Sequence, residues 1–219
     1  MRSLGPATPQ TDDSSAEALA AAGNHLAALG LSPGSSGNLS VRTATGFLTT
    51  PTGSSLAALA PDRISALDAA GHHRAGPPPT KEVPLHLAVH ARLPHARAVV
   101  HLHSTHAVAV ACLDPLDSTD VLAPLTPYAV LRLGRVPLLP YAAPGSDRLA
   151  AGTAVLDPGA RAFLLANHGQ VTVGATLDEA IHAAVELEES AKLQLLLGDR
   201  RPVRPLTPGQ RAGLTAEMG

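Results

Sequence analysis

Short apolar runs alternate along the chain with clusters of Pro, Gly and Ser, and the period of each run predicts its element. Ser14 and Glu17 stand at capping-box spacing before an Ala/Leu-rich stretch that ends at Gly30, which predicts a helix over about 15–29. LSPGSSGNLSVR breaks the helical period and runs into a strand near Leu39–Arg42. GFLTTP and RISALDA read as further strands, joined through the PTGSSL turn. GPPPT forces an extended approach to Thr80, which caps a helix that starts at Lys81–Pro84 and reaches about Leu93. AVVHLH reads as a strand, STHAVAVACL as a helix, and VPLLPY and AFLLANH as strands. Thr176 and Glu179 form a second capping box, opening a helix to about Leu197 with Gly198 as its stop. Residues 1–12 read as a disordered lead-in. The Arg/Pro-rich segment 199–219 reads as a poorly ordered extension or a short terminal helix, which leaves 13–198 as one domain. Strands and helices mix without a strict βαβ rhythm, so the pattern predicts an α/β fold with a central mixed or antiparallel sheet flanked by helices.

Composition narrows this picture. At 219 residues the chain is long enough to bury a substantial core, but with 2% aromatic residues and no Trp that core must be Ala, Val and Leu. Sixteen basic residues against eighteen acidic ones give a net charge of −2, which points to no nucleic-acid or membrane-surface partner. The N-terminal MRSLGPATPQTDD has no apolar core of a signal peptide, and no apolar run reaches membrane-spanning length. A lone Cys112, within VAVACL, excludes an internal disulfide and reads as a small buried hydrophobe in a reducing cytosol. The expectation is a soluble, cytoplasmic protein.

The candidate chemistry lies in AVVHLHSTH. Positions i and i+2 of a strand leave the same face about 6–7 Å apart, so Val99, His101 and His103 share one face and Val100 and Leu102 the other. Two imidazoles converging from one strand can chelate a single ion, each nitrogen about 2.0–2.1 Å from it. His168, in LLANHGQV, also closes an apolar strand and is a third candidate. Each histidine taken alone reads as a structural side chain with local partners, and it is the H-x-H pair that brings the ligand reading level with it. The other eight sit on predicted loops or helix faces and read mostly as solvated or locally bonded. Glu82 lies in the first turn of the helix before the His strand, where the macrodipole favours a carboxylate; it can ligate an ion, act as a base, or do neither.

SSGNLSVR, TPTGSSL, TKEVPLHLAVH, AVVHLHSTH, PYAAPG and LLANHG occur in one order ahead of the long final helix, and together they resemble the class II aldolase/adducin family over residues 15–197. The resemblance implies a three-layer fold and a Zn²⁺ site made by His101, His103 and His168. It places Glu82 where the family has a catalytic acidic residue that also ligates the resting metal. It implies sugar-phosphate binding at Ser36, Gly37, Asn38, Thr52, Gly53 and Thr80, each of which alone reads as an ordinary turn or cap residue. Where the fuculose-phosphate aldolases have two serines before the Glu, this chain has Thr80 and Lys81. TKEVPLH, HLHSTH and PLTPYAVLRLGRVPLLPY look most like the 3-oxo-tetronate 4-phosphate decarboxylase branch. Lys81 is then a cationic contact for substrate phosphate or carboxylate, or a solvated helix-start lysine. Tyr128 falls near the position of a proton-donating Tyr from a neighbouring subunit of a homotetramer. The implied reaction is loss of CO2 to leave an enediolate, protonated by Glu82 or Tyr128 to give dihydroxyacetone phosphate. The competing readings are a sugar-phosphate aldolase, a pentulose-phosphate 4-epimerase, an adducin-like domain without chemistry, and a cupin-type oxygenase with the same H-x-H pattern.

Overall fold

The computed structural model describes residues 12–114, 117–198 and 203–218. Eight strands of these described residues form one sheet: β1 (Asn38–Arg42), β2 (Gly46–Thr49), β3 (Ser65–Asp68), β4 (His73–Ala75), β5 (Ala98–Leu102), β6 (Leu138–Leu139), β7 (Ala162–Leu165) and β8 (Gly169–Gly174). Their order across the sheet is β4-β3-β2-β1-β5-β8-β7-β6, and all pairs are antiparallel except β6–β7. Among the described residues seven α-helices accompany them: α1 (Asp12–Ala28), α2 (Val83–Arg92), α3 (Thr105–Ala111), α4 (Pro127–Leu133), α5 (Asp147–Ala151), α6 (Leu177–Leu197) and α7 (Pro208–Met218). Among the described residues no helix is long and apolar enough to cross a membrane.

The alternation of side chains along β5 sets the layers. Val100 and Leu102 enter a cluster with Leu19 and Leu26 of α1 and Ala180 and Ala184 of α6. Val99 enters a cluster on the opposite face with Leu85 and Val89 of α2 and Leu149 of α5. A third cluster joins α3, α4 and α6 against Ala162 and Leu164 of β7. The predicted mixed sheet between helical layers is therefore present, and Ala, Val and Leu dominate its core.

Several local expectations change. Helix α1 starts at Asp12, so Ser14 and Glu17 lie inside it rather than at its mouth. Glu82, not Thr80, occupies the N-cap position of α2; Thr80 Oγ1 instead accepts from the Glu82 N–H at 3.2 Å. Thr176 does cap α6, accepting from the Glu179 N–H. Of the terminal segment 199–219, residues 203–218 are described and end in α7; residues 1–11 and 199–202 lie outside the described residues. Cys112 is exposed rather than buried, because α3 ends there and turns its last side chain outward. Strands β4 and β8 and helices α4 and α5 were not anticipated from the pattern.

Candidate metal centre

Strand pairing brings the three histidines together. His101 lies opposite Asn38 on β1 and opposite Val171 on β8. His103 follows one residue after β5 ends, and His168 sits in the β7–β8 turn. That turn is held by Asn167, whose φ of 55° makes it the one non-glycine residue with positive φ among the described residues; Asn tolerates that conformation better than most. Gly169 follows because a Cβ there would lie 2.4 Å from the Leu102 carbonyl oxygen. At Gly37 the φ is 82° and a Cβ would lie 3.0 Å from the His101 carbonyl oxygen, so glycine lets this turn close over the site.

The ligand atoms of His101, His103 and His168 all lie within 4.8 Å of one another. The rings meet edge to face with centroids 4.8–4.9 Å apart, and the Nε2 atoms of His101 and His103 are separated by 3.0 Å. The His101 Nδ1–H donates to the Gln170 carbonyl at 2.8 Å, which leaves its Nε2 facing the cluster. Glu82 completes the group: Oε2 lies 3.2 Å from His101 Nε2 and Oε1 lies 3.5 Å from His168 Nε2.

Burial shapes the acid–base state. Burial first, then the neighbouring His101, pushes His103 and His168 down to about 4, so both lone pairs are free at neutral pH. Burial raises the Glu82 carboxyl, but the hydrogen bond and charge of His101, with Asn38 and His168, outweigh it and hold the group well below the usual carboxylate range. Both ring nitrogens of His168 and Glu82 Oε1 are buried without any hydrogen-bond partner. Buried polar atoms of a protein are normally satisfied. Three imidazoles and one carboxylate converging on a common point are the donor set of a transition-metal ion, and such an ion satisfies these orphaned atoms together.

A cavity of about 160 Å³ opens above this cluster. Ser36, Gly37, Asn38, Thr52, Gly53, Thr80 and Lys81 all line it, with Glu82, His103 and His168. Ser35, Pro51, Ser54 and Pro144 line it too; they lie inside SSGNLSVR, TPTGSSL and PYAAPG but were not singled out as candidates. Lys81 is the one lysine or arginine in that lining among the described residues. The Asn38 side chain is committed elsewhere: its Nδ2 donates to Glu82 Oε2 at 2.8 Å and its Oδ1 lies 2.5 Å from His86 Nε2. A larger groove of about 890 Å³ between α1, the end of β1 and the start of α6 contains no comparable cluster of metal-ligating side chains.

Three further side chains lie off the cavity lining. Tyr128, on α4, is 60% exposed with the Arg132 guanidinium over its ring, and it does not line the cavity of its own chain. His86 and His90 are 2% exposed, not solvated, because the face of α2 that carries them packs against β1. Glu188 of α6 was missed. Its carboxylate accepts from the backbone N–H groups of His106 and Ala107 at 3.0 and 2.9 Å and pairs with the His106 ring at 2.8 Å. It thereby caps α3 and anchors the chain just after His103.

A largely buried three-imidazole cluster with an adjoining carboxylate, set at the centre of this sheet, gives a class II aldolase fold with a site able to hold a metal ion. The chain belongs to the Class II Aldolase and Adducin N-terminal domain family, whose model matches residues 17–195. It is 50% identical over 186 residues to the 3-oxo-tetronate 4-phosphate decarboxylase of Escherichia coli K12, covering 84% of this chain and 87% of that one. It is 37% identical over 170 residues to the L-fuculose phosphate aldolase of Haemophilus influenzae, covering 77% and 76%. The crystal structure of YgbL from Escherichia coli superposes with a TM-score of 0.89 at 46% identity, over 94% of this chain and 99% of that one. An L-fuculose 1-phosphate aldolase superposes at 0.82 and 27% identity, over 98% and 99%.

Proposed function

We propose that this protein is a zinc-dependent carboxy-lyase that converts a 3-oxo-tetronate 4-phosphate to dihydroxyacetone phosphate and CO2. The observation that carries the proposal is the set of unpartnered atoms on His168 and Glu82 beside the His101–His103 pair, at the floor of a cavity that holds a lysine. The 50% identity to a decarboxylase of that name supports the substrate class. His101, His103 and His168 hold the zinc, with Glu82 as a fourth ligand in the resting state. When bound, the ion supplies Lewis-acid polarisation of the substrate ketone.

The chain's own residues do the rest. Backbone amides and hydroxyls of Ser36, Gly37, Thr52, Gly53 and Thr80 receive the phosphate, with Asn38 contributing its backbone while its side chain holds Glu82. Lys81 balances the negative charge of phosphate and carboxylate. As the C1–C2 bond breaks, CO2 leaves, its electron pair moves toward the C3 ketone, and C2 takes up a proton. Glu82, ionised at neutral pH and with Oε1 lacking a hydrogen-bond partner, takes that proton from solvent and relays it to C2. Tyr128, exposed on α4, serves the cavity of a neighbouring copy, and we place the enzyme in the cytoplasm as a homotetramer. Residues 13–198 form the catalytic domain and 199–219 its extension.

The test is incubation of zinc-loaded protein with a 3-oxo-tetronate 4-phosphate and, separately, with fuculose 1-phosphate. Release of CO2 and dihydroxyacetone phosphate from the first is the expected result. Aldehyde release from the second, with the first inert, refutes the decarboxylase reading in favour of an aldolase. Elemental analysis should find one zinc per chain, lost in His101→Ala.

A further inference from the structure

Helix α2 and strand β1 interleave their side chains. Along α2 and its N-cap, Glu82, His86 and His90 follow at intervals of four and share one face; on β1, Asn38 and Ser40 follow at an interval of two and share one side. Both repeats advance by about 6–7 Å, so the two rows mesh. Asn38 bridges Glu82 and His86 as described. Ser40 Oγ lies 2.7 Å from His86 Nδ1 and 3.0 Å from His90 Nε2, and the His90 Nδ1–H donates to the Ala96 carbonyl at 3.0 Å. All five side chains are buried, and Ser40, His86 and His90 do not touch the cavity.

Apolar side chains fill a helix–sheet gap without the desolvation cost of polar ones, and Leu85, Val89 and Leu93 do so elsewhere on the same helix. The polar row instead begins at a site carboxylate and ends on a backbone carbonyl whose own turn is closed by the Ala96 N–H to Leu93 bond at 2.9 Å. It fixes Glu82 Oε2 and leaves Oε1 to His168. We infer that Ser40, His86 and His90 are positioning residues that act through Asn38 to hold the Glu82 carboxylate in place at the metal centre. The inference rests on the role given to Glu82 above.

Ser40→Ala cuts the row at its middle and is compared in the wild-type and Glu82→Ala backgrounds. Two readouts are taken: zinc affinity by chelator competition, and kcat and KM for the decarboxylation. In the wild-type background zinc affinity and kcat should each fall about tenfold, the scale of outer-shell losses at metal sites, with KM within about twofold. In the Glu82→Ala background Ser40→Ala should change neither further. Equal losses in both backgrounds, or none in the wild type, overturn the inference. The zinc measurement needs no substrate, so a wild-type protein without decarboxylase activity defeats the proposed reaction while the row is still tested. A second pair, His90→Gln and His90→Leu, guards against a folding defect in Ser40→Ala. At equal thermal midpoints the glutamine, which keeps a hydrogen-bonding group, should retain more zinc affinity; equal loss in both overturns the inference.

Discussion

Acid should unfold this protein in a pH window set by two rings that never meet the substrate cavity. Burial first pushes His86 down to about 3, with the charges of His101 and His90 adding to it, and pushes His90 down to about 4. Both side chains are 2% exposed. In the unfolded chain each has an ordinary pKa near 6.5. The folded-state values are therefore depressed, the unfolded state takes up protons first, and stability is lost as pH falls from about 6.5 toward 4. At pH 5 the gap to the unfolded value is about 1.5 pH units, or about 2 kcal/mol per ring and about 4 kcal/mol for the pair. That is a large share of the roughly 5–15 kcal/mol that separates folded from unfolded domains. The lowered carboxyls of Glu82 and Glu188 add to the loss only at the acid end, as pH falls through their unfolded values, while Asp120, raised by its burial, works in the opposite direction. His103 and His168 are depressed in the same direction and can only deepen the loss.

The assay is urea unfolding at fixed protein concentration in a chelating buffer at pH 7, 6 and 5. With a slope of about 2.5 kcal/mol/M, the midpoint should fall by about 1.5 M or more between pH 7 and pH 5. His90→Gln cannot titrate and should remove about 2 kcal/mol of that fall. Midpoints that coincide at pH 7 and pH 5 would show that the rings are not buried neutral, and the account of α2 against β1 would fail.

Glu82→Gln should slow turnover by roughly 10²–10⁴ while the three imidazoles still hold metal, read from kcat and metal content together. Gly169→Ala should lower stability by about 2–3 kcal/mol and empty the metal site, since the new methyl meets the Leu102 carbonyl and the His103 ring; thermal unfolding and elemental analysis report both. Glu188→Gln should cost about 1–2 kcal/mol by weakening the charged cap on the His106 and Ala107 N–H groups. An unchanged urea midpoint in Glu188→Gln would refute that capping role.

The metal cluster was legible because strand geometry is strict. A period of two aims His101 and His103 the same way, and although His103 lies one residue past the end of β5, their rings meet with centroids 4.9 Å apart. Strand β8 was missed although Gln170, Val171, Thr172 and Val173 alternate polar and apolar: the run is short and closed by Gly169 and Gly174, which read as turn residues, and both of its faces are buried. Helices α4 and α5, of seven and five residues, are too short for a helical period to establish itself. The spacing of Glu82, His86 and His90 was visible, but which face of α2 meets the sheet is decided by Asn38 and Ser40 some forty residues earlier. Cys112 misled for a related reason, since an apolar neighbourhood in sequence says little at the last turn of a short helix.

Burial at this site acts in two directions at once. It strips His103 and His168 of their protons at neutral pH, which readies their lone pairs for a cation. It also leaves three polar atoms of His168 and Glu82 without partners, a cost that the metal-free fold must carry. A metal that relieves this cost binds the folded chain far better than the unfolded one, so part of its binding energy is folding energy. The carboxylate of Glu82 is the nearest substitute for the ion's missing ligands, and the Asn38–His86–Ser40–His90 row keeps it there rather than letting it swing into the cavity. The polar row between α2 and β1 and the orphaned atoms at its end thus answer the same demand, a carboxylate held within reach of a cation yet free of hydrogen bonds on one oxygen.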